Sequence, residues 1–348
     1  ESAMASELDL KLSALGNGCS SSYGAFACDY VRRYLLADPD LGETVKERRQ
    51  LLESGGLIIH STFDADMQKA ANKAVKKHVG AKDKAIGVLA MIEPGTGGVK
   101  AVAQSRPMGR DAKAGQTFIN FGVPEAYGDS GGFQAGSTFK LYTAVAALKT
   151  GISPKKTYYA PPVMTMPKGA YANCAEKPST AWRVRNAGSS GTRDMYSGFR
   201  NSVNTYFAQL ERDAGLCETV RTAQSMGITV PERDEIPPFT LGMTSVSPLE
   251  VAAAYATVAG QGQYCKPRPV NRIEDRNGNL LKEYPPKCEQ VMEADVANVV
   301  NDILIRVQKP GGFGGNRGLG LDVPSAAKTG TVQEISGVWY AGYTPTLA

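Results

Sequence analysis

The chain has 348 residues, 42% of them apolar and 21% charged, with 38 glycines and 20 prolines. This composition supports a sizeable core and excludes collagen-like and wholly disordered classes, and no run approaches the roughly 18 apolar residues of a membrane span. The net charge of +5 is scattered, and its densest cluster, Lys46, Arg48 and Arg49, is interrupted by Glu47, so no nucleic-acid partner is expected.

Residues 1–56 read as a preamble: a polar start, a loop bracketed by cysteines, and a helical stretch. Asp29 is expected to cap a helix over Tyr30–Leu36, and Thr44 one over Val45–Leu52, ahead of the Gly55-Gly56 break. Leu57–Phe63 reads as a strand. Asp64 then caps a helix over Ala65–Val79, with Met67, Ala71 and Val75 at spacing four. Residues 85–104 form a predicted β-hairpin around Pro94-Gly95-Thr96-Gly97-Gly98. A Gly-rich loop over 121–136 leads into a helix, Ser137–Lys149, closed by Gly151. An Ala-rich helix covers 249–259, and Ala326–Thr331 and Gly337–Tyr343 read as paired strands. Strands at both ends with helices between them predict an α+β domain over 57–348. No internal repeat is present.

The two histidines, His60 and His78, read as structural and solvated. No HExxH, CxxC or P-loop pattern occurs, so no metal or cofactor is expected. The six cysteines are Cys19, Cys28, Cys174, Cys217, Cys265 and Cys288. An even number without metal spacing suggests disulfides and an oxidising compartment, with buried free thiols as the alternative. Fifteen connectivities are possible; the sequential one brackets three local segments.

Three patterns compete as a nucleophile site. Gly128-Asp129-Ser130-Gly131-Gly132 matches the GDSGG of trypsin-like proteases and the GxSxG elbow. Both need a histidine base, and none follows Ser130, which sits in a loop rather than a strand–turn–helix. Ser137-Thr138-Phe139-Lys140 is an SxxK pattern, as are Ser153–Lys156 and Ser325–Lys328. Only Ser137 opens a helix, where i and i+3 lie side by side and free backbone N–H groups can meet an oxyanion. Lys328-Thr329-Gly330-Thr331 lies on a late strand, where Gly330 permits close backbone approach and Lys and Thr can face an anion. The same KTG at Lys149-Thr150-Gly151 is a helix end. Between the two lies Ser202-Val203-Asn204, whose hydroxyl and amide, two residues apart, can point the same way.

The order SxxK, SxN, KTG, each on the element it needs, resembles the penicillin-binding protein transpeptidases. Gln134-Ala135-Gly136-Ser137-Thr138-Phe139-Lys140 is similar to the family's nucleophile signature, with Ala135 where proline is usual. Leu241-Gly242 with Ser247–Ala256 resembles its helix ahead of the final strands, and Val338–Pro345 the strand after KTG. Gly55–Val75, with Asp64 and Gln68, resembles the start of this domain in bifunctional class A members. The preamble with Cys19 and Cys28 resembles the actinobacterial versions. Ala327 stands where glycine is common before the KTG lysine. The family continues past the final hairpin with a strand and a helix, and its class A members carry a membrane helix and a glycosyltransferase domain. The resemblance therefore implies such parts outside this chain, and an extracytoplasmic location.

The resemblance implies an antiparallel sheet flanked by helices plus an all-helical subdomain. It implies D,D-transpeptidation of peptidoglycan stem peptides through a Ser137 acyl-enzyme, inhibited by β-lactams. Lys140 is then the base, Ser202 a proton relay, and Asn204 the group that orients Lys140 and the substrate amide. Lys328, Thr329, Gly330 and Thr331 hold the terminal carboxylate, and the N–H groups of Ser137 and Thr331 form the oxyanion hole. A D,D-carboxypeptidase would share every residue, and a non-enzymatic β-lactam sensor would acylate and signal. A β-lactamase would need a deacylating base, and no ExxxN segment lies between the first two motifs.

Overall fold

The computed structural model describes residues 18–19, 23–188, 190–310, 312, 321–332 and 336–348. The polar start of the preamble lies outside these residues. The first described helix is Ala25–Leu36, longer at its N-terminus than Asp29 capping predicts. Asp29 instead lies inside the helix, buried, with its carboxylate accepting from Arg33 Nε at 2.8 Å. An i,i+4 ion pair has competed with the capping role. Helix Val45–Ser54 does begin at a Thr44–Glu47 capping box. Asp64 caps helix Ala65–His78 by accepting from the N–H groups of Asp66 and Met67.

Strand Ile58–Ser61 pairs antiparallel with Val270–Glu274, which pairs with Leu280–Glu283. Val88–Ile92 and Val99–Gln104 form the predicted hairpin, and Ala326–Thr331 pairs antiparallel with Val338–Tyr343, setting Lys328 opposite Ala341. The predicted 121–136 loop contains a short helix, Glu125–Gly128, and a two-residue strand, Phe133–Gln134, that pairs with Ser245–Val246. Glycine frequency hid both elements, because neither is long enough to show a period.

The helical part is built around Lys140–Lys149, in which every residue from Lys140 to Ala147 is buried. A helix buried on all sides belongs at the centre of a bundle. Helices Asn204–Ala214, Leu216–Ser225 and Ala294–Val307 pack on it. Their shared core stacks Phe139 edge-on to Tyr142 and Phe239, at 5.0 and 5.3 Å between ring centres. A second cluster joins Tyr30 of the preamble to Ile92, Val99 and Leu249, so the preamble is packed onto the sheet. The architecture is α+β, as the sequence predicts.

The cysteines pair sequentially, Cys19–Cys28, Cys174–Cys217 and Cys265–Cys288. His60 Nε2 lies 2.8 Å from Glu274 on the neighbouring strand, a structural contact. Among the described residues no helix is long and apolar enough to cross a membrane. Cys174–Cys217 spans 43 residues and pins a loop to the helical bundle. Replacing both with alanine is expected to lower unfolding free energy by about 2–4 kcal/mol. Denaturant titration measures this, and an unchanged midpoint would show that the loop is already held by packing alone.

Candidate active site

Ser137 lies on a tight 3-10 turn, Gly136–Phe139, that runs directly into helix Lys140–Lys149. In such a turn positions i and i+3 lie on the same side, which puts Lys140 on the side of the turn that carries Ser137. Thr138 Oγ1 donates to the carbonyl of Ala135 at 3.0 Å, and Tyr255 Oη donates to the Thr138 carbonyl at 2.9 Å. Trp339 Nε1 donates to the Gln134 carbonyl at 2.8 Å, tying the approach to the turn to the last hairpin.

Three glycines set the distance between this turn and the strand that carries Lys328. A Cβ on Gly330 would lie 2.3 Å from the Ala135 carbonyl oxygen, and one on Gly136 2.8 Å from that of Thr331. Gly242 is tighter still: its φ is +69°, and a Cβ there would lie 2.0 Å from the carbonyl oxygen of Gly136. The Gly136 N–H donates to the Gly242 carbonyl at 3.0 Å. Only residues without a side chain let the three segments approach this closely.

Two fully buried lysines converge on one hydroxyl. Lys140 Nζ donates to Ser202 Oγ at 3.1 Å, to the Ser202 carbonyl at 2.7 Å and to Asn204 Oδ1 at 2.7 Å. Lys328 Nζ donates to Ser202 Oγ at 3.0 Å and to the Thr329 carbonyl at 2.8 Å. Ser202 presents both its hydroxyl and its carbonyl to Lys140 from a left-handed backbone, φ +52°. Non-glycine residues avoid that region, and those held there cluster at functional sites. Asn204 is fixed from the other side, its Nδ2 donating to the Arg185 carbonyl at 2.9 Å.

Burial pushes the Lys140 amine well below the usual lysine range, and the neighbouring charge of Lys328 pushes it the same way. Burial also lowers Lys328, to about 7. Both amines therefore release their protons more readily than an ordinary lysine, and the charge of Lys328 adds to burial in favouring a neutral Lys140. That pair can accept a proton from an adjacent hydroxyl while holding an anion nearby. Thr329 and Thr331, two apart on the strand, share a face. Thr329 Oγ1 is buried with no partner among the described residues, while Thr331 is exposed.

The structure thus brings Lys140, Ser202, Asn204 and Lys328 into one hydrogen-bonded cluster and sets Ser137 and the Thr329–Thr331 strand against each other across the glycine contacts. Ser130 is elsewhere: its Oγ accepts from the Gly132 N–H at 3.3 Å within the turn beyond Glu125–Gly128. Ser153 Oγ likewise accepts from the Lys155 N–H, and Ser325 Oγ donates to Gln308, so each decoy serine is engaged away from the Lys140–Ser202–Lys328 cluster. Sequence reasoning did not single out Phe207, whose ring centre lies 5.3 Å from Lys140 Nζ, nor Arg185 and Tyr255. Phe207 could have been found, since it sits three residues after Asn204 on the same helix face.

The sequence model described as the penicillin-binding protein transpeptidase domain matches residues 87–348. Penicillin-binding protein 1A of Mycolicibacterium smegmatis is 28% identical over 86% of this chain. The chain spans 37% of that relative's length. The solved structure of the penicillin-binding protein PonA1 from Mycobacterium tuberculosis superposes with a TM-score of 0.72 at 25% identity, covering 92% of this chain and 79% of the other. The same protein in complex with penicillin V superposes with a TM-score of 0.69 at 25% identity, covering 92% and 81%. These similarities agree with the class A, actinobacterial resemblance of the sequence.

Gly242→Ala tests the glycine contacts directly, because the added methyl has to displace the turn that carries Ser137. Misplacement by about 1 Å is expected to slow reaction with a Ser137-directed acylating agent on the order of 100-fold. Stopped-flow acylation measures it, with Gly131→Ala, whose Cβ meets nothing within 4 Å, as the control. Equal rates in the two variants would show that the close approach is dispensable.

Proposed function

Because the chain belongs to the penicillin-binding protein transpeptidase domain family, we propose that it is a serine D,D-transpeptidase that cross-links peptidoglycan stem peptides. The observation that carries this reading is the Lys140–Ser202–Lys328 chain of hydrogen bonds, in which burial favours a neutral Lys140. Ser137 Oγ attacks the carbonyl between the two terminal D-alanines and passes its proton to Lys140 Nζ. The N–H groups of Ser137 and Thr331 receive the oxyanion, each such donor being worth about 3–4 kcal/mol in a transition state. Ser202 passes the proton on to the departing D-alanine amine, and the C–N bond breaks to leave an ester on Ser137. An amine of a second stem peptide then attacks that ester, forming the new amide and returning the proton to Ser137. Lys328, Gly330 and the Thr329 and Thr331 hydroxyls hold the substrate carboxylate. The unpartnered Thr329 hydroxyl supports this, since a buried polar group left unpaired costs about 1–3 kcal/mol.

On this reading residues 57–348 are the transpeptidase domain and 1–56 lead into it from a membrane-anchored glycosyltransferase domain. The site lies on the outer face of the plasma membrane, which the three disulfides support. Glu176, the one glutamate between Lys140 and Ser202, is exposed on a loop beside the Cys174 disulfide. General-base assistance to water, typically worth about 10²–10⁴-fold, has no source in it. Rapid β-lactamase-like deacylation is disfavoured for the same reason.

Fluorescent penicillin is expected to label wild-type protein and Ser130→Ala equally, and to leave Ser137→Ala unlabelled. Intact-mass spectrometry after drug removal should show the adduct persisting for minutes or longer. Labelling of Ser137→Ala would overturn the nucleophile assignment, and loss of the adduct within seconds would make the protein a hydrolase.

The two lysines also set the pH dependence. A neutral Lys140 is required, so activity is lost as pH falls through its lowered value. A charged Lys328 is required, so activity is also lost as pH rises through about 7 in the free protein. The second-order acylation constant, which reports the free enzyme, is therefore expected to fall about tenfold per pH unit well above that limb. A constant that keeps rising through the alkaline range would show that Lys328 stays charged or is not needed.

A further inference from the structure

A groove of about 460 Å³ lies between the preamble and the segment 266–287. It is lined by none of the residues assigned above to acylation. Its base is a row of partly buried tyrosine rings, Tyr34 against Tyr127 and Tyr34 against Tyr284, each 5.9 Å between centres. Beside them Lys282 Nζ is held by Asp38 and Asp40, both at 2.6 Å, and lies 5.0 Å from the Tyr284 ring centre. Tyr284 Oη donates to Asp38 at 2.5 Å, so these polar groups are paired before any ligand arrives.

The rim differs. Lys266 and Lys287 are exposed and adjacent, the Lys266 N–H donating to the Lys287 carbonyl at 2.9 Å. Neither has an ion-pair partner among the described residues. The Cys265–Cys288 bridge, one residue from each, fixes them at the groove mouth.

We propose that this groove binds the glycan strand of peptidoglycan, an N-acetylated amino-sugar polymer that carries lactyl carboxylates. The proposal rests on the cell-wall reading above. Pyranose rings present flat C–H faces to tyrosines, and hydroxyl and acetamido groups exchange hydrogen bonds with the edges of a fixed Asp–Lys–Tyr array. The paired lysines take the carboxylate. A densely anionic polymer fits less well, because Asp40 and Glu283 are exposed at the same groove. Holding the strand here would anchor its stem peptides near the Ser137 domain independently of the acylation site.

The test titrates the protein with a tetrasaccharide of alternating N-acetylglucosamine and N-acetylmuramic acid without stem peptides, using chitotetraose as the carboxylate-free comparator. Calorimetry is expected to show tighter binding of the muramyl sugar. Lys266→Ala/Lys287→Ala, both exposed, is expected to weaken it about tenfold while penicillin labels Ser137 at the wild-type rate. Equal affinity for chitotetraose, no binding of either sugar, or wild-type affinity in the double variant would each overturn the proposal. So would a hexaglutamate peptide that binds more tightly than the sugar, which would assign the surface to an acidic protein partner. Penicillin labelling separates the two readings: sugar binding without labelling refutes the transpeptidase alone, and labelling without sugar binding refutes the groove alone.

Discussion

The whole site depends on a backbone contact that side chains would forbid. Gly136, Gly242 and Gly330 let a turn, a loop and a strand approach until carbonyl oxygens stand 2.0–2.8 Å from where Cβ atoms would be. The contact joins the two halves of the fold: the strand belongs to the terminal hairpin, and the turn feeds the central helix of the bundle. A rotation of one half against the other would move the Ser137 turn with it, because the glycine contacts themselves are backbone against backbone. Packed interiors yield in discrete steps rather than continuously.

Against that rigid frame, the electrostatics of the cluster work against stability. Two buried amines sharing one hydroxyl are costly, since charge out of water must be paired or lost. Neither Lys140 nor Lys328 has a carboxylate partner among the contacts described; their acceptors are carbonyls, a hydroxyl and an amide oxygen. A carboxylate there would have stabilised the charged form of Lys140 and raised its proton affinity. Neutral acceptors satisfy the hydrogen bonds without doing so, and the left-handed backbone at Ser202 supplies two of them from a single residue.

Much of this was legible in the sequence, for identifiable reasons. Ser137, Lys140 and Lys328 could be singled out because each motif sat on an element with a clear local signature, a helix start or an alternating strand. Thr44 and Asp64 showed their helix starts through side-chain caps. The helix start at Ala25 was not legible, because Gly24 caps nothing with a side chain and Asp29 looked like a better cap than it is. Phe133–Gln134 was hidden for another reason: a two-residue strand is defined by its partner, Ser245–Val246, more than a hundred positions away. Arg185 and Tyr255 contribute to the site through a carbonyl and a distant hydroxyl, which carry no pattern in one chain. The tyrosine groove was equally invisible, since its walls come from three segments that only the fold brings together.

The value of about 7 for Lys328 has a consequence for calorimetry. Near neutral pH the empty site is a mixture of protonated and deprotonated molecules. An anion settling beside that amine favours the protonated form, so binding draws a proton from the medium. The heat measured will then include the ionisation enthalpy of whatever buffer supplies it. Titrations in phosphate and in Tris will disagree, and their difference counts the protons taken up per anion bound.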